Sequence, residues 1–244
     1  MTRSRMHELA DRAWELYEHA IARANDVVVR PSMPILYFGD REAYQGSPLK
    51  IVTVGLNPSL KEFPIGDPWL RFPGGSRRET YIGSLDAYFR TQPYTDWFRS
   101  FEPVLRGMGA SYYPGADSSA LHTDICSPVA TTPTWSGLER ASTLVVDGFE
   151  LWRDLVETLA PDVVLVSVAR RHLLRLTAEP ADTWPPAYVL QRTNPYMVRM
   201  RELSIGAHRV PVVFGRAAEK PFGTVSDRDK RTIGAAIKKA LDGE

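Results

Sequence analysis

The stretch Lys50-Ile51-Val52-Thr53-Val54-Gly55-Leu56-Asn57-Pro58-Ser59 decides how this chain is read. Ile51, Val52 and Val54 surround a single threonine without polar alternation. That pattern belongs to a strand covered on both faces, as in a parallel sheet. The strand runs into Gly55-Leu56-Asn57-Pro58, a turn in which glycine and proline set the backbone and asparagine supplies one polar amide. Open α/β sheets bind their ligands beyond the carboxyl ends of their strands. The spacing therefore predicts Asn57 at a ligand-binding edge.

Outward from this strand, helical and strand patterns alternate. Residues 6–24 carry Met6, Leu9, Ala10, Ala13, Leu16, Tyr17, Ala20, Ile21 and Ala24 at helical spacing. Ile35–Gly39 reads as a short strand or an extended arm. Residues 60–80, with Pro64, Pro68, Pro73, Gly74 and Gly75, form a long irregular connection, a kind of loop that is usually functional or mobile. Helices are expected at 81–90, 95–107, 137–159 (broken near Gly148), 169–177 and 226–241. Ser226 is the expected N-cap of the last, with Asp227 and Asp229 in its first turn. Core strands are expected at 50–56, 120–125, 162–168 and 210–215, and a strand pair at 188–191 and 196–200. The alternation predicts an α/β fold: a three-layer α/β/α sandwich around a central, mostly parallel four-stranded sheet. The expected organisation is one domain over 1–244, with an N-terminal helix and arm (1–47) packed on a core (48–241).

Composition narrows the function. With 43% hydrophobic and 10% aromatic residues, the chain can bury a large core, and its net charge of +1 gives no global field toward a polyanion. Locally the balance differs. Residues 168–216 hold eight arginines against Glu179, Asp182 and Glu202, a pattern that suits a phosphate backbone or simply a solvated face. The single cysteine, Cys126, excludes an internal disulfide and a four-cysteine iron–sulfur cluster. No apolar run approaches the roughly 18–20 residues of a membrane span, and no signal-peptide core is visible. The expectation is a cytoplasmic monomer without metal or organic cofactor.

The Gly55-Leu56-Asn57-Pro58 turn resembles the first active-site motif of the uracil-DNA glycosylase superfamily, in its mismatch-specific and single-strand-selective branches. The run His122-Thr123-Asp124-Ile125-Cys126-Ser127-Pro128 is similar to the second strand of the single-strand-selective branch. As an order of elements the resemblance covers residues 48–241. It implies a glycosylase-like fold and a nucleotide flipped out of DNA into a pocket at the sheet edge. Water then attacks the sugar as the N-glycosidic bond breaks, leaving an abasic site. Asn57 would hold that water, with Gly55 and Pro58 shaping the turn. Since an amide is no strong base, positioning and electrostatics must supply the rate.

Uracil-selective members read the base with an asparagine where this chain has Asp124. An amide donates to O4 of uracil and accepts from N3–H; a carboxylate only accepts. Asp124 therefore suits the N4 amino group of a cytosine-type base, modified or not. A strand-end aspartate also serves as an ordinary cap for backbone donors. His122 shares a strand face with Asp124 and is read as a contact to base or phosphate, or as a core histidine. The 60–80 loop interleaves Phe63, Trp69 and Phe72 with Arg71, Arg77 and Arg78. Phe63 and Phe72 are both candidates to stack on the base, and Arg77 and Arg78 to contact DNA. The loop 215–223 stands where the superfamily carries its minor-groove wedge but lacks the usual histidine. There Arg216 and Lys220 suit phosphates and Phe222 suits the gap left by an extruded base, or the packing of the last helix. Thr131, Thr132, Thr134 and Trp135 line the expected pocket mouth. The absence of lysine from both motifs argues against lyase chemistry.

The function expected is a monofunctional DNA glycosylase acting on a cytosine-type or modified cytosine base. A modified target extends to defence against modified phage DNA. Uracil or mismatch repair, a non-catalytic nucleic-acid-binding member of the same fold, and an unrelated α/β enzyme acting on free nucleotides are the alternatives. No Gly-x-Ser-x-Gly elbow, Walker loop or dinucleotide fingerprint supports the last.

Overall fold

The computed structural model describes residues 4–23, 26–134, 142–217, 220–223 and 225–243. The fold is α/β, built on one mixed, mostly parallel sheet of seven strands in the order β2-β3-β1-β4-β7-β6-β5. The strands are β1 (Ile51–Gly55), β2 (Ala110–Ser111), β3 (Ser118–Asp124), β4 (Val163–Val166), β5 (Pro186–Leu190), β6 (Tyr196–Ile205) and β7 (His208–Gly215). β1 pairs in parallel with β4 and β4 with β7, as their unbroken apolar runs require. Every residue of β1 and β4 is buried.

The sheet has seven strands, where four were expected. β6 pairs antiparallel with the whole length of β7, from Val198 opposite Gly215 to Ile205 opposite His208. β5 then pairs antiparallel with β6, with a register shift between Pro186 and Tyr188. The strand pair expected at 188–191 and 196–200 is present as β5 and β6, but β6 runs on to Ile205, and its buried residues change from even positions (Tyr196, Val198) to odd ones (Leu203, Ile205) along its length. β2 is only two residues long and pairs with the start of β3, too short for a periodic signal.

The helices are α1 (Arg5–Arg23), α2 (Arg41–Gln45), α3 (Tyr81–Asp86), α4 (Thr95–Gly107), α5 (Ser142–Leu159), α6 (Arg170–Leu173) and α7 (Asp227–Leu241). α6 is a single turn, where a helix over 169–177 was expected. Its N-cap, Ala169, offers no side-chain acceptor, and Leu174 is exposed. α5 runs through Gly148 without a break. A Cβ there would stand 2.2 Å from the carbonyl oxygen of Cys126, so the glycine permits close packing rather than a kink. The part of the expected helix before 142 lies outside the described residues.

The chain divides into two compact units: Met1–Glu42, Gly55–Tyr94 and Leu121–Ala160 in the first; Ala43–Val54, Thr95–Ala120 and Pro161–Glu244 in the second. In the first, the apolar stripe of α1 packs on α5, and Arg12 pairs with Asp154 at 2.5 Å. In the second, α4 packs against α7. Ser226 caps α7 by accepting from the Asp229 amide, and buried Lys230 donates to the carbonyl and hydroxyl oxygens of Ser100 at 3.0 and 2.5 Å. Burial holds the Lys230 ammonium below its usual value.

Candidate functional site

The carboxyl ends of β1 and β3 both fall in the first unit, and backbone bonds tie them together. Ile125 donates to the Gly55 carbonyl at 3.1 Å and Cys126 to the Leu56 carbonyl at 2.9 Å. Strand periodicity then sorts the side chains of β3. Thr123 faces α5, where its hydroxyl accepts from Trp152 Nε1 at 3.0 Å. His122 and Asp124 share the other face, with Nε2 and Oδ1 3.7 Å apart and both side chains buried. This face lies against Gly55. An added Cβ there would meet Asp124 Oδ1 at 2.5 Å and His122 Nε2 at 3.0 Å. Glycine at the end of β1 is thus what lets the imidazole and the carboxylate approach the turn.

Asn57 follows two residues later and is buried, 8% exposed. Its Nδ2 donates to the carbonyls of Pro58 (3.0 Å), Thr134 (3.3 Å) and Val129 (3.4 Å) and to the Thr131 hydroxyl (3.0 Å). Carbonyl acceptors on the nitrogen side fix which way the amide points, since the reversed amide would set oxygen against oxygen. Oδ1 is buried and has no hydrogen-bond partner among the described residues. A buried acceptor without a donor costs about 1–3 kcal/mol, which marks it for explanation. Thr131 completes this cradle by donating to the Thr134 carbonyl. Trp135, expected at the same mouth, lies outside the described residues.

An aromatic cluster borders His122. Phe38 pairs with His122 through two backbone bonds (2.9 and 3.0 Å), and their rings lie 5.6 Å apart. Phe72 stacks between Phe63 (5.8 Å) and Tyr88 (5.1 Å), and Tyr88 meets Phe38 edge-on at 4.9 Å. Phe63 and Phe72 are therefore brought together, both buried, in one cluster.

Glu62 belongs to the same cluster and escaped the sequence reading. It ends a 3-10 turn, Leu60–Glu62, capped by Ser59, and is buried. Tyr88 donates its hydroxyl hydrogen to Oε2 at 2.6 Å. Burial raises the Glu62 carboxyl to about 8. The negative charge of Asp124 adds to the rise, while the Tyr88 bond and Arg71 oppose it. With its carboxyl raised to about 8, Glu62 keeps its proton at neutral pH. Its only sequence signal was an acid four residues after a strand-end proline, which does not distinguish it from a surface residue.

The remaining predicted residues are elsewhere engaged or exposed. Arg78 pairs with Glu18 at 2.5 Å and lies over the Trp14 ring at 5.3 Å. Arg77 is exposed. Arg216, Lys220 and Phe222 belong to the second unit. There the first two are exposed, whereas Phe222 is fully buried at φ +56°, its ring against Gly215 and 5.8 Å from Phe101. Its backbone amide donates to Ser167 Oγ at 2.7 Å. Phe222 is a packing residue in this conformation.

Among the described residues no group of three or more His, Cys, Asp or Glu is arranged to hold a metal ion, and no helix is long and apolar enough to cross a membrane. No family model matches this chain, and no curated protein matches it.

Proposed function

We propose that this chain is a DNA glycosylase that hydrolyses the N-glycosidic bond of a flipped cytosine-type base, and that it has the three-layer architecture of the uracil-DNA glycosylase superfamily. The observation that carries the reading is the Asn57 amide. Its two amide hydrogens are shared among four acceptors within 3.0–3.4 Å of the nitrogen, leaving Oδ1 as a fixed acceptor without a partner among the described residues, just past the end of β1. An acceptor so fixed orients a water by taking one of its hydrogens, leaving a lone pair for the anomeric carbon. The C–N bond breaks with its electron pair going to the base, positive charge develops on the sugar, the water oxygen bonds to the anomeric carbon, and the proton that the water gives up passes to the departing base anion.

The acids also account for the choice of base. Asp124 accepts from the N4 amino group, and neutral Glu62 has a hydrogen to give to N3. One acceptor and one donor complement the edge of cytosine and oppose that of uracil. The buried Phe63–Phe72–Tyr88 cluster supports the apolar wall that a flipped base needs. Defence against DNA carrying modified cytosine follows as the biological setting of this reading.

The test is base release from labelled duplex and single-stranded oligonucleotides containing uracil, cytosine, 5-methylcytosine or 5-hydroxymethylcytosine, read by alkaline cleavage at the abasic site. Release of a cytosine-type base, lost in Asn57→Ala, is expected. Release of uracil alone refutes the base assignment, and oligonucleotide binding without any release favours a non-catalytic nucleic-acid-binding protein.

A further inference from the structure

The eight arginines of residues 168–216 are not spread evenly over the second unit. Arg201 pairs with both carboxylate oxygens of Glu179, and Arg209 with Glu202 at 3.0 Å, so these two are neutralised on the hairpin. Four others, Arg170, Arg192, Arg199 and Arg216, line one cavity of about 360 Å³ with Asp182 and Tyr196. Four guanidinium groups face one carboxylate there. The volume lies within the range of small-ligand sites.

The cavity is built rather than incidental. Arg170 is oriented by Asp182 at 2.7 Å. Arg199 donates to the Trp184 carbonyl from the middle of β6. Arg192 donates through Nε to the Asn194 carbonyl at 2.9 Å and lies over the Tyr196 ring at 5.7 Å, which leaves its terminal nitrogens for another acceptor. The Tyr196 hydroxyl donates to the Arg216 carbonyl at 2.8 Å and so fixes the backbone that carries the fourth arginine. Planar, multiply donating cations grouped this way match the oxygens of phosphate esters.

We propose that this cavity binds the phosphodiester backbone of a nucleic-acid strand. The inference deepens the glycosylase reading by assigning a strand-holding site, but it is tested without base release. The wild-type protein and the double variant Arg192→Ala/Arg216→Ala are titrated with a fluorescent 16-nucleotide duplex of unmodified sequence at 50–200 mM salt. Both arginines are exposed, so the fold tolerates their loss. Each lost phosphate contact lowers the slope of log K against log salt by about 0.9 on duplex DNA. The double variant is expected to lose about 1.8, with Arg192→Lys/Arg216→Lys restoring most of the slope and Arg209→Ala unchanged. An unchanged slope in the double variant overturns the proposal. So does a competition result in which a free nucleoside monophosphate loses affinity in the double variant while the duplex does not. Failure of base release with the expected change in slope removes the glycosylase reading and leaves this site standing.

Discussion

Replacing Glu62 by glutamine removes one ionisable group from the buried cluster while keeping its shape and an oxygen for the Tyr88 hydroxyl. The effect can be worked from the structure. The carboxyl has an ordinary value of 4.5 and is raised to about 8 in the folded protein. Below pH 4.5 both folded and unfolded chains carry the proton, and the burial costs nothing extra. Between pH 4.5 and 8 the unfolded chain has released its proton while the folded chain retains it. Fewer protons on the unfolded state mean that stability falls as pH rises, by about 1.4 kcal/mol per pH unit. The gap of about 3.5 pH units amounts to about 5 kcal/mol, lost in full once the pH passes the folded value. The glutamine variant has no such term. Urea unfolding of both proteins at pH 5, 6, 7, 8 and 9 isolates it, because the other titrating groups cancel in the difference. The wild-type stability is expected to decline relative to Glu62→Gln up to pH 8 and then run parallel. A difference constant across this range, or one that grows in favour of the wild type, refutes a buried Glu62 that keeps its proton at neutral pH.

Three further outcomes follow from the geometry. Asn57→Ala is expected to abolish base release while changing oligonucleotide affinity less than twofold, checked by single-turnover kinetics and fluorescence anisotropy. Gly55→Ala forces its Cβ within 2.5 Å of Asp124 Oδ1, and overpacking of this kind costs about 1–3 kcal/mol. A lowered unfolding midpoint together with lost base release checks it. Asp124→Asn gives the site a donor for O4 of uracil, so release of uracil relative to cytosine-type bases is expected to rise, measured on paired oligonucleotides differing only in that base.

How much of this was legible in the sequence depended on burial. Strands covered on both faces, such as Val163–Val166, announce themselves as apolar runs; the turn that follows β1 pointed to Asn57, and the separate run His122–Pro128 pointed to Asp124 and His122. β5 and β6 were legible as a strand pair, but the run of β6 on to Ile205 and its pairing with β7 were not, because Arg199, Arg201 and Glu202 interrupt the apolar pattern there. Gly148 was misread for a related reason. Glycine in a helix is locally destabilising, and only the carbonyl of Cys126 against it explains why α5 continues. Glu62 was invisible because its character is entirely environmental: its burial and its Tyr88 partner, twenty-six residues away, appear only in the fold. The cavity arginines were legible as a charge surplus, while their sorting into paired and grouped sets depends on β-pairing register.

The outermost strand has a consequence for association. β5 begins with Pro186, which has no amide hydrogen, and its register slips between Pro186 and Tyr188. A neighbouring molecule approaching from this side meets a gap where a continuous row of donors would otherwise invite it. At the opposite margin, β2 offers only two residues. Both flanks are thus poor templates for intermolecular strand addition, a form of protection against fibrous self-assembly that a long, regular hairpin would have forfeited.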